Sequence, residues 1–253
     1  MVVTMDKFKI VFTLAIFNLL FIGCAESTKT VFTADKDAKN WEKEDVSLPV
    51  ALSNSGAVSF KGSLYQVSGS DAKKVLKLEG KNWVEVGKVP NISSGHSVVV
   101  FKDKMYLIGG LSEMGISKKV YSSSDGVSWV ESGALPGHRT NGKAIVFKEK
   151  MFYYGGVSSY DIDTLEAQSE KTIFVSEDGV SWNTAGYLPN ETGGMSIENY
   201  NCESLIMVGG VYSNAKLKSE GPYSSVFTST DGVTWEYLSN FSNAAVGGSL
   251  ISL

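Results

Sequence analysis

Apolar residues in this chain come in short runs separated by polar turns, and the runs recur in a fixed order. The first run of each cycle follows a glycine: Gly56-Ala-Val-Ser-Phe60, Gly95-His-Ser-Val-Val-Val-Phe101, Gly142-Lys-Ala-Ile-Val-Phe147 and Gly194-Met-Ser-Ile197. Continuous apolar runs this short predict a strand buried on both faces. A polar turn comes next, such as Lys102-Asp-Lys104 or Lys148-Glu-Lys150. The second run ends in paired glycines, Gly109-Gly110, Gly155-Gly156 and Gly209-Gly210; the first cycle has the weaker Leu64-Tyr-Gln-Val-Ser-Gly69. After a stretch of variable length come a third strand, an Asp-Gly turn, and a tryptophan that starts a fourth strand.

All five tryptophans mark this cycle: Trp41, Trp83, Trp129, Trp182 and Trp235, spaced 42 to 53 residues apart. Three close near-identical phrases, Ser-Ser-Asp125-Gly-Val-Ser-Trp129, Ser-Glu-Asp178-Gly-Val-Ser-Trp182 and Ser-Thr-Asp231-Gly-Val-Thr-Trp235. One Trp per period of this length, with β-prone runs between, predicts the blades of a β-propeller. Each part has a structural reason. Paired glycines allow positive φ where strands crowd. Asp-Gly suits a tight hairpin turn. Tryptophan offers a broad face to wedge between neighbouring blades. Asp125, Asp178 and Asp231 recur once per blade, which marks them as turn residues rather than members of one active site.

The double glycine with the downstream Trp, and the Leu135-Pro136 and Leu188-Pro189 pairs after the fourth strand, resemble the kelch repeat and the propeller of the galactose oxidase family. The resemblance spans residues 29–253 and implies an all-β, kelch-like propeller. Four complete four-stranded blades are expected, at about 50–86, 91–132, 137–185 and 190–238. Lys29-Thr-Val-Phe-Thr-Ala before Trp41 matches a third strand, and the tail Val246-Gly-Gly-Ser-Leu-Ile-Ser-Leu253 matches a first strand. An incomplete, composite fifth blade built from both ends would remove edge strands. Its second strand is missing: either that blade has three strands, or the parent chain had more blades.

The start of the chain reads as targeting rather than fold. Lys7 and Lys9 precede an apolar stretch from Ile10 to Ile22, too short to favour a full membrane span. Phe21-Ile22-Gly23-Cys24 resembles a bacterial lipobox, with Phe21 where that motif usually has Leu. The resemblance implies a signal peptide at 1–23, lipid on Cys24 and a short tether at 24–28. Cys24 and Cys202 are the only cysteines, so lipid on Cys24 would leave Cys202 without an intramolecular partner and rule out a disulfide framework.

Charge narrows the picture. Net charge is −4 with a pI near 5.3, so no basic footprint points to nucleic acid. Strand order puts the variable stretches 111–119, 157–170 and 211–223 on one face with the blade connections 90–95, 136–142, 189–193 and 240–246. That face carries the candidate ligand residues His96, His138, Arg139, Asn141, Tyr160, Asp161, Asn190 and Glu191. His138-Arg139 leads into an inner strand, so its side chains are expected near the central channel, where Arg could clamp a carboxylate. The favoured reading is an arginine that satisfies the carbonyls of its own turn and pairs with an Asp or Glu. His96 precedes an apolar run and reads equally as a buried inner-strand residue.

Enzyme chemistry finds little support. The resemblance to galactose oxidase would imply copper held by His and Tyr, but the two histidines sit in no ligand motif. Sialidases carry an arginine triad, and Arg139 is the only arginine. No metal site or cofactor is expected, and no carboxylate pair is singled out. Asn91-Ile-Ser93, Asn190-Glu-Thr192 and Asn240-Phe-Ser242 fit the glycosylation sequon. The leading expectation is a lipid-anchored, non-catalytic binding module for a protein or glycan at a bacterial envelope. A carbohydrate-active enzyme or its degenerate relative, and a purely structural protein or gene fragment, are the alternatives.

Overall fold

The computed structural model describes residues 48–49, 52–69, 73–161, 166–200, 202–214 and 219–240. Among them the regular elements are all strands. β1 (Gly56–Phe60), β2 (Ser63–Val67), β3 (Lys74–Glu79) and β4 (Asn82–Lys88) form the first antiparallel sheet. β5 (Ser97–Phe101) and β6 (Lys104–Ile108) begin the second, a small hairpin of β7 (Leu111–Ser112) and β8 (Gly115–Ile116) follows, and β9 (Lys119–Ser123) and β10 (Val130–Ala134) complete it. The third sheet has β11 (Lys143–Phe147) and β12 (Lys150–Tyr154), then the hairpin β13 (Val157–Tyr160) and β14 (Ala167–Ser169), then β15 (Thr172–Ser176) and β16 (Asn183–Tyr187). The fourth repeats this with β17 (Ser196–Tyr200), β18 (Ser204–Val208), the hairpin β19 (Val211–Asn214) and β20 (Ser219–Pro222), β21 (Ser225–Ser229) and β22 (Glu236–Asn240). First strands neighbour one another: β5 packs beside β1 and β11, and β11 beside β17. Up-and-down sheets set side by side in this way are consistent with a β-propeller-like fold.

The first turn in each of the first three sheets has a backbone that most residues avoid. Phe101 pairs with Lys104, leaving Lys102 and Asp103 as a two-residue turn with φ of 45° and 57°. Lys148 and Glu149 repeat it at 46° and 60°, and Lys61 and Gly62 at 48° and 75°. Positive φ at both positions is the type I′ geometry that matches strand twist. Lysine is retained at the first position because its side chain reaches the next sheet. Lys61, Lys102 and Lys148 donate to the carbonyls of Ser124, Glu177 and Thr230 at 2.8, 2.8 and 2.7 Å. Each also lies over the preceding Phe60, Phe101 or Phe147 ring. The second position carries no such contact. Asp103→Gly is therefore expected to stabilise the protein by roughly 1 kcal/mol, since glycine takes this φ without strain. The check is a urea titration: the midpoint should rise at constant slope.

The deepest strand in each sheet is the second, not the first. Met105 to Ile108, Met151 to Tyr154 and Leu205 to Val208 are all buried. The first strands are only partly so, with Val98, Val99 and Val100 half-buried. This corrects the expectation of burial on both faces. First strands form one edge of each sheet, whereas second strands have a neighbouring strand on both sides.

Three apolar clusters fill the spaces between consecutive sheets. Trp129 packs with Val58, Tyr65 and Leu107, and Trp182 with Phe101, Tyr106 and Phe174. Trp235 meets Tyr154 edge-on at 5.5 Å. These three tryptophans thus sit between their own sheet and the preceding one, as the repeat predicts; Trp83 is buried within β4. Trp41 lies outside the described residues.

The Asp-Gly phrases are not tight two-residue hairpins. Six residues separate β9 from β10, and the aspartate organises them. Asp125 Oδ1 accepts the N–H groups of Val127 and Ser128, both at 2.8 Å, and the Ser123 hydroxyl at 2.9 Å. Asp178 and Asp231 do the same in the next two cycles. Bonds from backbone N–H groups hold Asp125 and Asp178 at a pKa of about 2; at Asp231 burial opposes, but the Thr234 and Val233 N–H groups bring it to about 2 as well. A pKa depressed in the folded state stabilises above the unfolded value and is lost as pH falls through the folded one. The melting temperature is therefore expected to drop between about pH 4 and pH 2. Asp178→Asn, which keeps the acceptor oxygen, should flatten part of that drop; an unchanged profile would contradict the assignment.

Candidate functional site

The paired glycines decide how one face is assembled. The first residue of each pair donates to the start of the third strand: Gly109 to Lys119 O, Gly155 to Thr172 O and Gly209 to Ser225 O. The second reaches across to the lead-in of the next sheet, Gly110 to Arg139 O and Gly156 to Thr192 O, both at 2.8 Å. In the first sheet Gly69 makes the same bond to Ser93 O, and Ser68 replaces the first glycine. Ser68 holds φ of 53° while its hydroxyl bonds Ile92 O at 2.7 Å. The lead-ins also join one another: Gly95 N to Asn54 O, Asn141 N to Gly95 O and Gly194 N to Asn141 O. Isolated bridges tie each lead-in to the variable stretch of its own sheet: Ser94 with Leu111, Thr140 with Val157 and Gly193 with Val211. Lead-ins and variable stretches therefore share one face, as strand order predicts.

Those stretches are hairpins, and two of them merge. Gln168 of β14 pairs with Asn214 of β19, so β13-β14-β19-β20 forms one sheet contributed by the third and fourth repeats. One outer strand, β20, ends in Gly221-Pro222, a pairing-resistant edge. The other, β13, exposes Tyr160 and Asp161 at its end. Tyr212 lies across from Gly221 and packs on Tyr223 at 5.2 Å. Burial, Tyr212 and the nearby Glu191 charge together raise the Tyr223 pKa. The sequence offers no local sign of this platform, because its central pairing joins residues 46 positions apart.

The predicted ligand residues divide between surface and interior. Asn141 is exposed, and its backbone occupies the left-handed region at the lead-in bonds just described. Asn190 and Glu191 are half-buried on the lead-in to the fourth sheet. His138 is exposed, and its Nδ1 meets Ile116 O at 2.6 Å, which fastens the β7–β8 hairpin. His96 is not on the surface. It is buried, with Nε2 2.9 Å from Val67 O, and burial pushes its pKa to about 4 despite that bond. A neutral histidine set between sheets is a packing residue.

Arg139 takes the turn-bracing arrangement rather than the ligand contact. Its guanidinium turns inward, over the Phe174 ring at 5.1 Å, and pairs with Glu170 at 3.5 Å. Nη1 donates to His138 O at 2.7 Å, and only 6% of the residue is exposed. Glu170 in turn accepts the Ser158 hydroxyl at 2.6 Å. The sole arginine thus latches the β13–β14 hairpin to its sheet and is not presented to a ligand. Burial outweighs the Glu170 attraction and lowers its pKa. Ser93 and Thr192 hold the corresponding place in neighbouring lead-ins, so two of the sequon-like phrases are the lead-in turn itself.

Glu198 is the functional candidate that sequence reading passed over. It occupies the cross-strand register held by Val58, Val99 and Ile145 in the other first strands. Burial raises its pKa, and Lys143 on β11 partly offsets this. Comparing the four first strands position by position would have exposed it. Among the described residues no group of three or more His, Cys, Asp or Glu side chains could hold a metal ion.

No protein-family model matches the chain, and neither does any curated protein. Among solved structures, that of YjhT is similar, with a TM-score of 0.63 at 17% identity over 78% of this chain and 68% of that one. It is one of 282 solved chains that match, and so widely shared a fold does not carry one activity. At this identity the likeness shows the fold alone.

Proposed function

We propose that this chain is a kelch-like β-propeller with four complete blades and a composite fifth, anchored in a bacterial envelope through lipid on Cys24. It binds a protein or a glycan through the face that carries the hairpins and does no chemistry of its own. The observation that supports this most is the β13-β14-β19-β20 platform. The opposite face is built from two turn types that each recur in three sheets, whereas the platform occurs once and needs two repeats to make it. Non-repeating structure on a repeating scaffold is where recognition is placed. The test is capture of envelope proteins and envelope glycans by the immobilised protein. Replacing the β13–β14 hairpin by a short turn should abolish capture at little cost in melting temperature; equal capture would sink the reading. Anchoring is tested separately, since Cys24→Ser should move the protein from the membrane to the soluble fraction.

A second reading, carbohydrate chemistry, is favoured by Glu198 alone. An acid with a raised pKa in an otherwise apolar register is the kind of group an active site uses. Hydrolysis of envelope glycans by the wild-type chain, lost in Glu198→Gln, would establish it.

A further inference from the structure

Each variable hairpin is framed by two residues that the backbone itself identifies. The first follows the residue bridged to the lead-in, and it is Ser112, Ser158 or Tyr212. The second returns its N–H to the last glycine before the hairpin: Ser117 to Gly110 O, Glu170 to Gly156 O and Tyr223 to Gly210 O, all at 2.8 Å. In the second sheet both serines make local bonds, Ser112 to Gly115 O and Ser117 from Lys119 N. In the third the pair is sealed: the Ser158 hydroxyl donates to Glu170, and Arg139 of the lead-in pairs with Glu170 while lying over Phe174. In the fourth, two aromatic rings occupy the place.

Tyr212 and Tyr223 are half-buried, with ring centroids 5.2 Å apart and planes inclined by 39°. Gly221, across from Tyr212 on β20, clears the way for its ring, since a Cβ there would lie 3.1 Å from Tyr212 Cε1. Thr192 stands where the preceding lead-in has Arg139, so the sole arginine does not seal this pair. The neighbouring charge is Glu191. Burial raises the Tyr223 pKa most, and the Tyr212 phenol and the Glu191 carboxylate add to the rise.

That chemistry narrows the ligand. Rings in contact leave no gap between them for an ammonium group, so the pair is a platform and not a cage for a cation. A flat apolar surface with phenol oxygens at its rim suits the C–H faces and hydroxyl edges of a sugar. The 5.2 Å separation is close to the spacing of successive rings in an extended, β-linked glycan, one sugar to each tyrosine. An acidic sugar would meet Glu191, and Arg139, the residue suited to clamp its carboxylate, is buried and already paired. We therefore propose that Tyr212 and Tyr223 form a stacking subsite for a neutral, β-linked glycan. The inference rests on the binding-face reading above and narrows it to one ligand class and one pair of residues.

The test is calorimetric titration of the full chain. The probes are cellotetraose and chitotetraose, which are neutral and β-linked, an acidic oligomannuronate of the same length, and a lysine-rich peptide. At least one neutral tetrasaccharide should bind, and the oligomannuronate and the peptide should not. Tyr212→Leu and Tyr223→Leu keep apolar bulk but lose the ring, and each should weaken neutral binding by about tenfold. Tyr212→Phe keeps the ring and should stay close to wild type. Glu191→Gln should retain neutral binding and admit the oligomannuronate, a change of specificity that decides the matter even where a leucine variant fails to fold. Binding of neither neutral probe, or equal affinity in wild type and both leucine variants, would overturn the subsite. Binding of the peptide through the same tyrosines, without either sugar, would overturn it in favour of a protein ligand. Capture of envelope material that is lost with the β13–β14 hairpin but unmoved by both leucine variants would overturn the subsite and leave the binding face standing.

Discussion

Replacing Trp182 with alanine is expected to cost about 3–5 kcal/mol, the usual effect of deleting a large buried aromatic. The indole is 8% exposed and packs in the cluster between the second and third sheets, beside Phe101, Tyr106 and Phe174. Tyr106 cannot move easily to close the hole, because its ring is already in close contact with Gly179. For a domain of this size the loss corresponds to a fall in melting temperature of roughly 10 °C or more. Trp129→Ala should behave alike, since it fills the equivalent site one sheet earlier. A melting temperature unchanged in Trp182→Ala would mean that the tryptophans do not wedge neighbouring sheets together.

Gly156→Val should be comparably damaging by a different route. The backbone there has φ of 89°, where an L side chain is strained by about 1–3 kcal/mol. The new Cβ would also lie 2.6 Å from Thr140 O and 2.9 Å from Gly142 N. Both belong to the lead-in that enters the third sheet, so the clash cannot be relieved by turning a side chain. The Gly156 N–H bond to Thr192 O would be disturbed with it, loosening the fourth sheet as well. Gly156→Ala should fall between the two. Equal urea midpoints for wild type and Gly156→Val would refute the role given to the glycine pairs.

The parts of this architecture that were readable from sequence are those set by local chemistry. A glycine before each first strand, a glycine pair after each second and a tryptophan near each fourth located the strands to within a few residues. Strand alternation also placed the hairpins and lead-ins on one face. What could not be read depends on partners far along the chain. Val157 and Val211 begin hairpins rather than loops because β14 meets β19, and neither segment has a hairpin signature of its own. Arg139 was read first as a turn brace and second as a ligand clamp, and its partners Phe174 and Glu170, 35 and 31 positions on, could not be named from sequence. His96 was readable as a buried inner-strand residue, but not its partner, because Val67 comes from another sheet. The Asp-Gly turns were misread as tight because the aspartate's bonds to Val127 and Ser128 stabilise a wider loop than the dipeptide alone favours.

Native-state amide hydrogen exchange resolved by residue tests the central claim most directly: that one inter-sheet bonding scheme repeats along the chain and supports a non-repeating face. The amides of Gly69, Gly110 and Gly156, which bond to the lead-in of the next sheet, should exchange slowly and alike. Those of Asn141 and Gly194, which link one lead-in to the next, should be protected with them. Exchange of these amides as fast as that of the exposed Met114 tip, or protection at one of the glycines without the others, would contradict the repeated scheme.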